Sequence, residues 1–203
     1  MTKEKVRTRI ESLELLHPFT IAHGRSLVRE TVIVEVGDGS GEGAIVPYLG
    51  EPAAEVVAAI QRAAAALPTD IDRIEDTLLP AELGSKAAAC AIEMALLELM
   101  ARTAQRPVAD LFGGAIRRDI PVYYASGNRG NRPEEEIDYL RKLVAGSGVT
   151  ALKFRLGGRM SRNADSLPGR TETLIPLVRK SFGDAFTLYA ESNSSYDVPN
   201  AIR

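Results

Sequence analysis

Apolar and polar positions partly alternate through Val6-Arg-Thr-Arg-Ile-Glu-Ser-Leu-Glu-Leu-Leu16, and a period of two predicts a half-buried strand. His17-Pro18-Phe19 reads as its end. Thr31-Val-Ile-Val-Glu-Val36 is a denser β-rich run, and Ala44-Ile-Val46 resumes after Gly37-Asp-Gly-Ser-Gly-Glu-Gly43. That glycine-rich stretch predicts a hairpin turn, because glycine supplies positive φ. It does not predict a phosphate cradle. No window fits G-x-G-x-x-G, and Pro47 interrupts before any helix.

The period then lengthens. Pro52 to Leu67 is Ala-rich and reads as a helix, with Pro68 just past its end. Lys86 to Thr103 follows Ser85, a natural N-cap, and Ala88, Ile92, Ala95, Leu96 and Leu99 recur at three and four residues as a buried stripe does. Cys90 lies in this stretch and reads as a buried, inert thiol. An antiparallel hairpin with helices makes residues 1–112 an α+β unit.

Leu111-Phe-Gly-Gly114 marks a boundary, and residues 113–203 change rhythm. Ile120-Pro-Val-Tyr-Tyr-Ala125 reads as a strand, Pro133 to Val144 as a helix with an acidic first turn, and Thr150 to Leu156 as a strand. Thr171 to Phe182 reads as a helix and Phe186 to Ala190 as a third strand. Strand alternating with helix predicts a parallel sheet with crossover helices, the first three βα units of a barrel.

Composition narrows the classes. Hydrophobic residues make up 45% and charged residues 26% of 203, the balance of an ordinary globular protein. With no Trp and 5% aromatics, the core must be aliphatic. A net charge of -2 gives no bulk field for nucleic acid or a membrane surface. One cysteine excludes an internal disulfide and a zinc–thiolate cluster. No apolar run reaches a membrane span and the N-terminus lacks a signal-peptide core, so a cytoplasmic protein is expected.

The candidate chemistry sits at the strand ends. Side chains alternate along a strand, so Lys153 and Arg155 share a face and Phe154 points the other way. In a β/α barrel, polar residues at the C-terminal strand ends project into the active site. Glu191 closes the next strand, with Asn193 two residues on. One carboxylate and two cations at one mouth can handle a carboxylate beside a divalent metal, or can be a solvated ion pair. The loop from Gly157 to Arg170 is long for a βα connection and carries Arg159, Arg162 and Arg170 against Asp165. It reads either as a contact for an anionic substrate or as a solvated surface.

These residues resemble the enolase superfamily, in the branch of mandelate racemases, muconate-lactonizing enzymes and acid-sugar dehydratases. Pro18-Phe19-Thr-Ile-Ala-His-Gly24, the Val32–Val36 hairpin and Pro47-Tyr48 are similar to its capping domain. Lys86 to Leu99, Arg106-Pro107-Val and Leu111 to Arg117 resemble its signature helix and the exit into the barrel. Lys153-Phe-Arg155 falls on the second-strand K-x-K position, and Glu191-Ser-Asn193 on the third-strand D-x-N position.

The resemblance implies an α+β capping domain followed by the start of a (β/α) TIM-type barrel, incomplete in this chain. It implies Mg2+ as cofactor, with Glu191 as one of three metal ligands, and abstraction of the proton α to a carboxylate through an enediolate. Lys153 and Arg155 become the catalytic candidates. His23, Arg25 and Tyr48 on capping loops, with Asn193, become the substrate contacts. Arg155 departs from the family's lysine; a guanidinium keeps its proton and binds anions. Glu191 departs from its aspartate but keeps an oxygen ligand. With only three strands, the other ligands and the base fall outside the chain. Such a chain is expected to be a non-catalytic part of a longer enzyme, or to form a homo-oligomer or pair with the missing barrel half.

Overall fold

The computed structural model describes residues 6–21, 24–46, 50–67 and 84–202, except the side chains of residues 17–21 and 24–25. The described residues divide into two compact units. The first is drawn from Met1–His17 and Ser26–Arg118, the second from Pro18–Arg25 and Asp119–Arg203. No helix among the described residues is long and apolar enough to cross a membrane.

The first unit holds most of a three-stranded sheet in the order β1 (Val6–Ile21), β2 (Gly24–Val36), β3 (Gly39–Ala44). β1 does not end at His17 as the sequence predicts but runs through Pro18 to Ile21. It is an edge strand, where a residue without an N–H need cost no ladder bond. β2 likewise starts well before Thr31.

The glycine-rich stretch departs furthest from expectation. Its turn is Gly37-Asp38 alone, and Gly39, Gly41 and Gly43 lie inside β3, paired with Val36, Val34 and Val32. The cause is the helix above them. Helix α2 (Lys86–Thr103) lies against this stripe so closely that a Cβ on Gly39 would stand 2.0 Å from the Ala95 carbonyl oxygen. On Gly41 it would stand 1.9 Å from that of Ala91, and on Gly43 2.9 Å from that of Ala87. Four helical residues advance about 6 Å and two strand residues about 6.6 Å, so the two small-residue repeats stay in step.

Ser85 caps α2, its hydroxyl oxygen accepting from Ala88 N at 3.0 Å. Val32, Val34 and Val36 close the core with Val56, Ala59 and Ile60 of α1 (Ala53–Ala64) and Ala88, Ile92 and Leu96 of α2. Cys90 is exposed rather than buried, because the buried stripe of α2 runs through Ala88, Ala91, Ile92, Ala95 and Leu96 and leaves position 90 on the other face. The short helix α3 (Val108–Leu111) ends this unit's regular structure.

The second unit is an open parallel sheet in the order β4 (Tyr124–Ala125), β5 (Ala151–Arg155), β6 (Thr187–Glu191), with no closed barrel among the described residues. Of the strand expected at 120–125, only the last two residues join the ladder. Pro121 has no N–H to offer, and Ile120, Val122 and Tyr123 are exposed. Helices α4 (Pro133–Val144) and α5 (Arg170–Phe182) cover one face of the sheet. Ile137 and Leu140 from α4 meet Leu174 and Val178 from α5 over Leu152, Phe154 and Leu156. A last helix, α6 (Val198–Ile202), follows β6.

Candidate active site

Strand alternation puts Phe154 into the helix-side core, 2% exposed, and Lys153 and Arg155 on the opposite face. Parallel register sets Lys153 opposite Tyr189 and Arg155 opposite Glu191. Three predicted site residues thereby meet. Arg155 Nη1 donates to Glu191 Oε1 at 2.5 Å. Lys153 Nζ stands 3.0 Å from Glu191 Oε2 as an ion pair, without the alignment of a hydrogen bond. Arg155 is 9% exposed as a residue, so its charge is held largely out of water. Below them, the Tyr123 and Tyr189 rings lie 5.3 Å apart and tilted, with Lys153 Nζ 5.7 Å from the Tyr123 ring centre.

Asn193 sits beyond the strand, half-buried, in a left-handed conformation with φ of 50° that asparagine tolerates better than most residues. His23 and Tyr48 lie outside the described residues, and Arg25 is described only by its backbone, in β2. The loop arginines separate. Arg159 and Arg162 are exposed, whereas Arg170 opens helix α5 at 2% exposure and takes no part in a surface. Its Nε donates to Asn131 O at 2.6 Å and its Nη1 to Arg155 O at 2.8 Å. The side chain thus ties the loop after β4 to the end of β5.

The loops after β5 and β6 are bonded into one layer. Ser161 N donates to Ser194 O at 2.8 Å and Asn163 N to Ser195 O at 2.9 Å. Asn163 and Asp197 exchange two further bonds, Nδ2 to Oδ2 at 2.8 Å and Asp197 N to Oδ1 at 2.6 Å. Asp165 accepts from Thr171 N at 2.7 Å, from Thr171 Oγ1 and from the Tyr196 hydroxyl. Burial works to raise the Asp165 carboxyl, but these donors outweigh it and hold it below its ordinary value. Burial, followed by the bond to Asp165, pushes the Tyr196 phenol up.

A magnesium ion takes six or so oxygen ligands, with carboxylates to balance its charge. Among the described residues no three of His, Cys, Asp and Glu stand together, and both Glu191 oxygens already face cations. The described residues therefore do not by themselves fit a magnesium ion. Lys153 and Arg155, the two cations that face Glu191, can instead bind a small anion in exchange for a contact with that carboxylate.

Residues 4–113 match the family described as mandelate racemase / muconate lactonizing enzyme, N-terminal domain. The chain belongs to this family, within the enolase superfamily. Other members run through both units. A chloromuconate cycloisomerase from Cupriavidus necator is 26% identical over 99% of this chain and 55% of its own length. An aromatic dipeptide epimerase from Herpetosiphon aurantiacus is 32% identical over 72% of this chain and 43% of its own. The fold is shared with a dipeptide epimerase from Enterococcus faecalis, solved with Mg and the dipeptide L-Leu-L-Tyr. Its TM-score is 0.75 at 22% identity, over 98% of this chain and 55% of that one. The chain spans about half the length of these enolase-superfamily relatives, so its barrel part is incomplete.

Proposed function

We propose that this chain handles a small carboxylate at the C-terminal ends of β4–β6. The parent reaction is removal of the proton α to that carboxylate, in a racemisation, an epimerisation or an acid-sugar dehydration. The observation that carries this reading is the convergence of Lys153 and Arg155 on Glu191 at adjacent parallel strand ends, where barrel enzymes place their chemistry. The relatives' names, a cycloisomerase and an epimerase, support a reaction of this class. Removing an α proton places charge on the carboxylate oxygens, and a fixed cation beside them lowers that barrier.

The two cations have different parts. Arg155 keeps its proton and can hold a carboxylate or steady the charge that develops on it. Lys153 Nζ can both bind an anion and exchange a proton, so of the two cations it is the one able to take part in a transfer at the α carbon. The cofactor implied by the family is Mg2+, and Glu191 is its candidate ligand here. The remaining carboxylates would have to come from outside the described residues, as would a base on the opposite face of the substrate.

A second reading has its own support. One carboxylate with both oxygens engaged favours a chain that has no turnover alone and gains it with the rest of a barrel. β4 and β6 are both edges of an open sheet, so association with a completing partner or a second copy is part of this reading.

Solvent deuterium exchange separates the two. The chain is incubated in D2O with dipeptides, sugar acids and muconates, with Mg2+ present, and α-proton loss is followed by NMR. Exchange abolished in Lys153→Ala supports the first reading. Exchange equal in wild type and Lys153→Ala overturns it, and no exchange with any substrate favours the second. Calorimetry should find Mg2+ binding no tighter than millimolar, about -4 kcal/mol. A micromolar site lost in Glu191→Gln would overturn the one-carboxylate reading.

A further inference from the structure

β1 is the outer strand of the first unit's sheet and runs for 16 residues, from Val6 to Ile21. Among the described residues no strand pairs with its outer row of N–H and C=O groups. Proteins commonly blunt such an edge with lysine, proline or a bulge. Between Val6 and Leu16 there is no lysine, proline or glycine, and the charges present are of both signs.

The two faces of this stretch differ. Val6 packs on the core formed with α1 and α2, so by alternation Thr8, Ile10 and Ser12 lie on the helix side. Arg7, Arg9, Glu11 and Leu13 lie on the other. There Arg7 Nε stands 3.0 Å and Arg9 Nη1 2.7 Å from the Glu35 carboxylate, and Arg9 Nε stands 2.6 Å from Glu11 Oε1. Ile10 and Leu13 are 48% and 46% exposed, so the edge carries apolar surface that its own unit leaves in water.

The order of the charges is self-complementary. A second copy of β1 laid antiparallel, with a two-fold axis at Ile10, sets Arg9 of each copy opposite Glu11 of the other. The same register sets Ile10 against Ile10 and Thr8 against Ser12 on the helix side, and Arg7 against Leu13 on the other. Directly opposed side chains stand about 4.5–5.5 Å apart at Cβ, close enough for opposite charges to attract and apolar groups to meet. A slip of two residues puts Arg9 against Arg9 in one direction and Glu11 against Glu11 in the other. A slip of one turns the helices of one copy to the opposite side of the sheet. One register is therefore favoured and its neighbours are opposed.

We propose that a second copy of this chain docks along the outer edge of β1, about a two-fold axis at Ile10, each copy contributing three strands to one continuous sheet. The pairing is made by the first unit's sheet. It is separate from any association through β4 and β6 and does not depend on the carboxylate reading.

Sedimentation equilibrium of the full chain tests it, and wild type is expected to form a reversible dimer. Arg9→Glu sets acid against acid at both crossings of the two-fold, and Glu11→Arg sets base against base. Each should raise the dissociation constant at least tenfold. In an equimolar mixture of these two variants, each crossing of the mixed pair again holds one acid and one base, so the mixture should return to within threefold of wild type. A variant damaged in its own fold would not be rescued in this way. Ile10→Lys, at an exposed position, brings two ammonium groups together at the axis. It should also weaken the dimer at least tenfold, with the far-ultraviolet circular dichroism of wild type. A monomeric wild type overturns the proposal. So do variants that associate as tightly as wild type, which would leave the edges of β4 and β6 as the contact. A mixture that stays as weak as its components overturns it too, and would assign the loss to the Arg9–Glu35 pair within each chain.

Discussion

Arg155 and Glu191 are register partners across β5 and β6, and Nη1 of the first lies 2.5 Å from Oε1 of the second. Lys153 reaches the other carboxylate oxygen from the same strand, so one negative charge holds two positive ones in place. Side-chain exposure of 11% for Arg155 and 30% for Glu191 puts the pair between a surface bridge and a buried one. Glu191→Gln keeps the shape and removes the charge, leaving Arg155 short of a partner. It should destabilise the second unit by about 1–3 kcal/mol, read by urea unfolding. A variant within about 0.5 kcal/mol of wild type would mean that the three side chains contribute little to the fold.

Asp165 and Tyr196 give the chain a pH signature at both ends. Asp165 is held below its ordinary value of 3.8, so its contribution to stability is present above that pH and is lost as pH falls through the lower, folded value. Tyr196 is raised above 10.0, so its contribution is present below pH 10 and is lost as pH rises through the higher, folded value. Tyr196→Phe should flatten the alkaline limb of a stability–pH curve and leave most of the acid limb, since Thr171 still donates twice to Asp165. Asp165→Asn should flatten the acid limb and part of the alkaline one. Parallel curves for all three proteins would sink this account.

Strand alternation was enough to place Lys153, Phe154 and Arg155 on their proper faces, and the Ser85 cap and the bounds of α2 could be read outright. These are local signals, decided within a few residues. What could not be read depends on partners distant in sequence. Gly39, Gly41 and Gly43 look like a turn until α2, some fifty residues on, is laid upon them. Pro18 looks like a stop unless β1 is known to be an edge. Arg159, Arg162 and Arg170 look alike in the chain, and only the packing of the loops against α4 and α5 sends one inside.

The contact of β3 with α2 makes a prediction with a built-in control. A Cβ at Gly41 would stand 1.9 Å from the Ala91 oxygen and 2.9 Å from its carbonyl carbon, both backbone atoms that cannot swing aside. Gly41→Ala should therefore force the helix off the strand and cost about 3 kcal/mol or more, at or above the upper end of ordinary overpacking. Gly127 has nothing within 4 Å of its own added Cβ, so Gly127→Ala should stay within about 0.5 kcal/mol of wild type. Equal stabilities in urea would mean that α2 does not rest on β3 as described.

Arg170 offers the sharpest contrast between charge and geometry. It is 2% exposed, and its guanidinium spans two carbonyl oxygens, Asn131 O and Arg155 O, with a different nitrogen for each. Lysine carries the same charge but presents one nitrogen on a flexible stem, so it cannot bridge both acceptors. Arg170→Lys should leave one of the two carbonyls unpaired and loosen the loop after β4 from the end of β5. The expected cost is about 2–4 kcal/mol. Because the Arg155 carbonyl is one of the acceptors, the same substitution should lower the affinity of the site for a carboxylate probe. Arg159→Lys and Arg162→Lys, at exposed positions, should change stability by no more than about 0.5 kcal/mol. Unfolding and carboxylate binding measured on the three variants decide the matter. If all three behave alike, Arg170 is only one more surface charge, and the loop after β4 is held by something else.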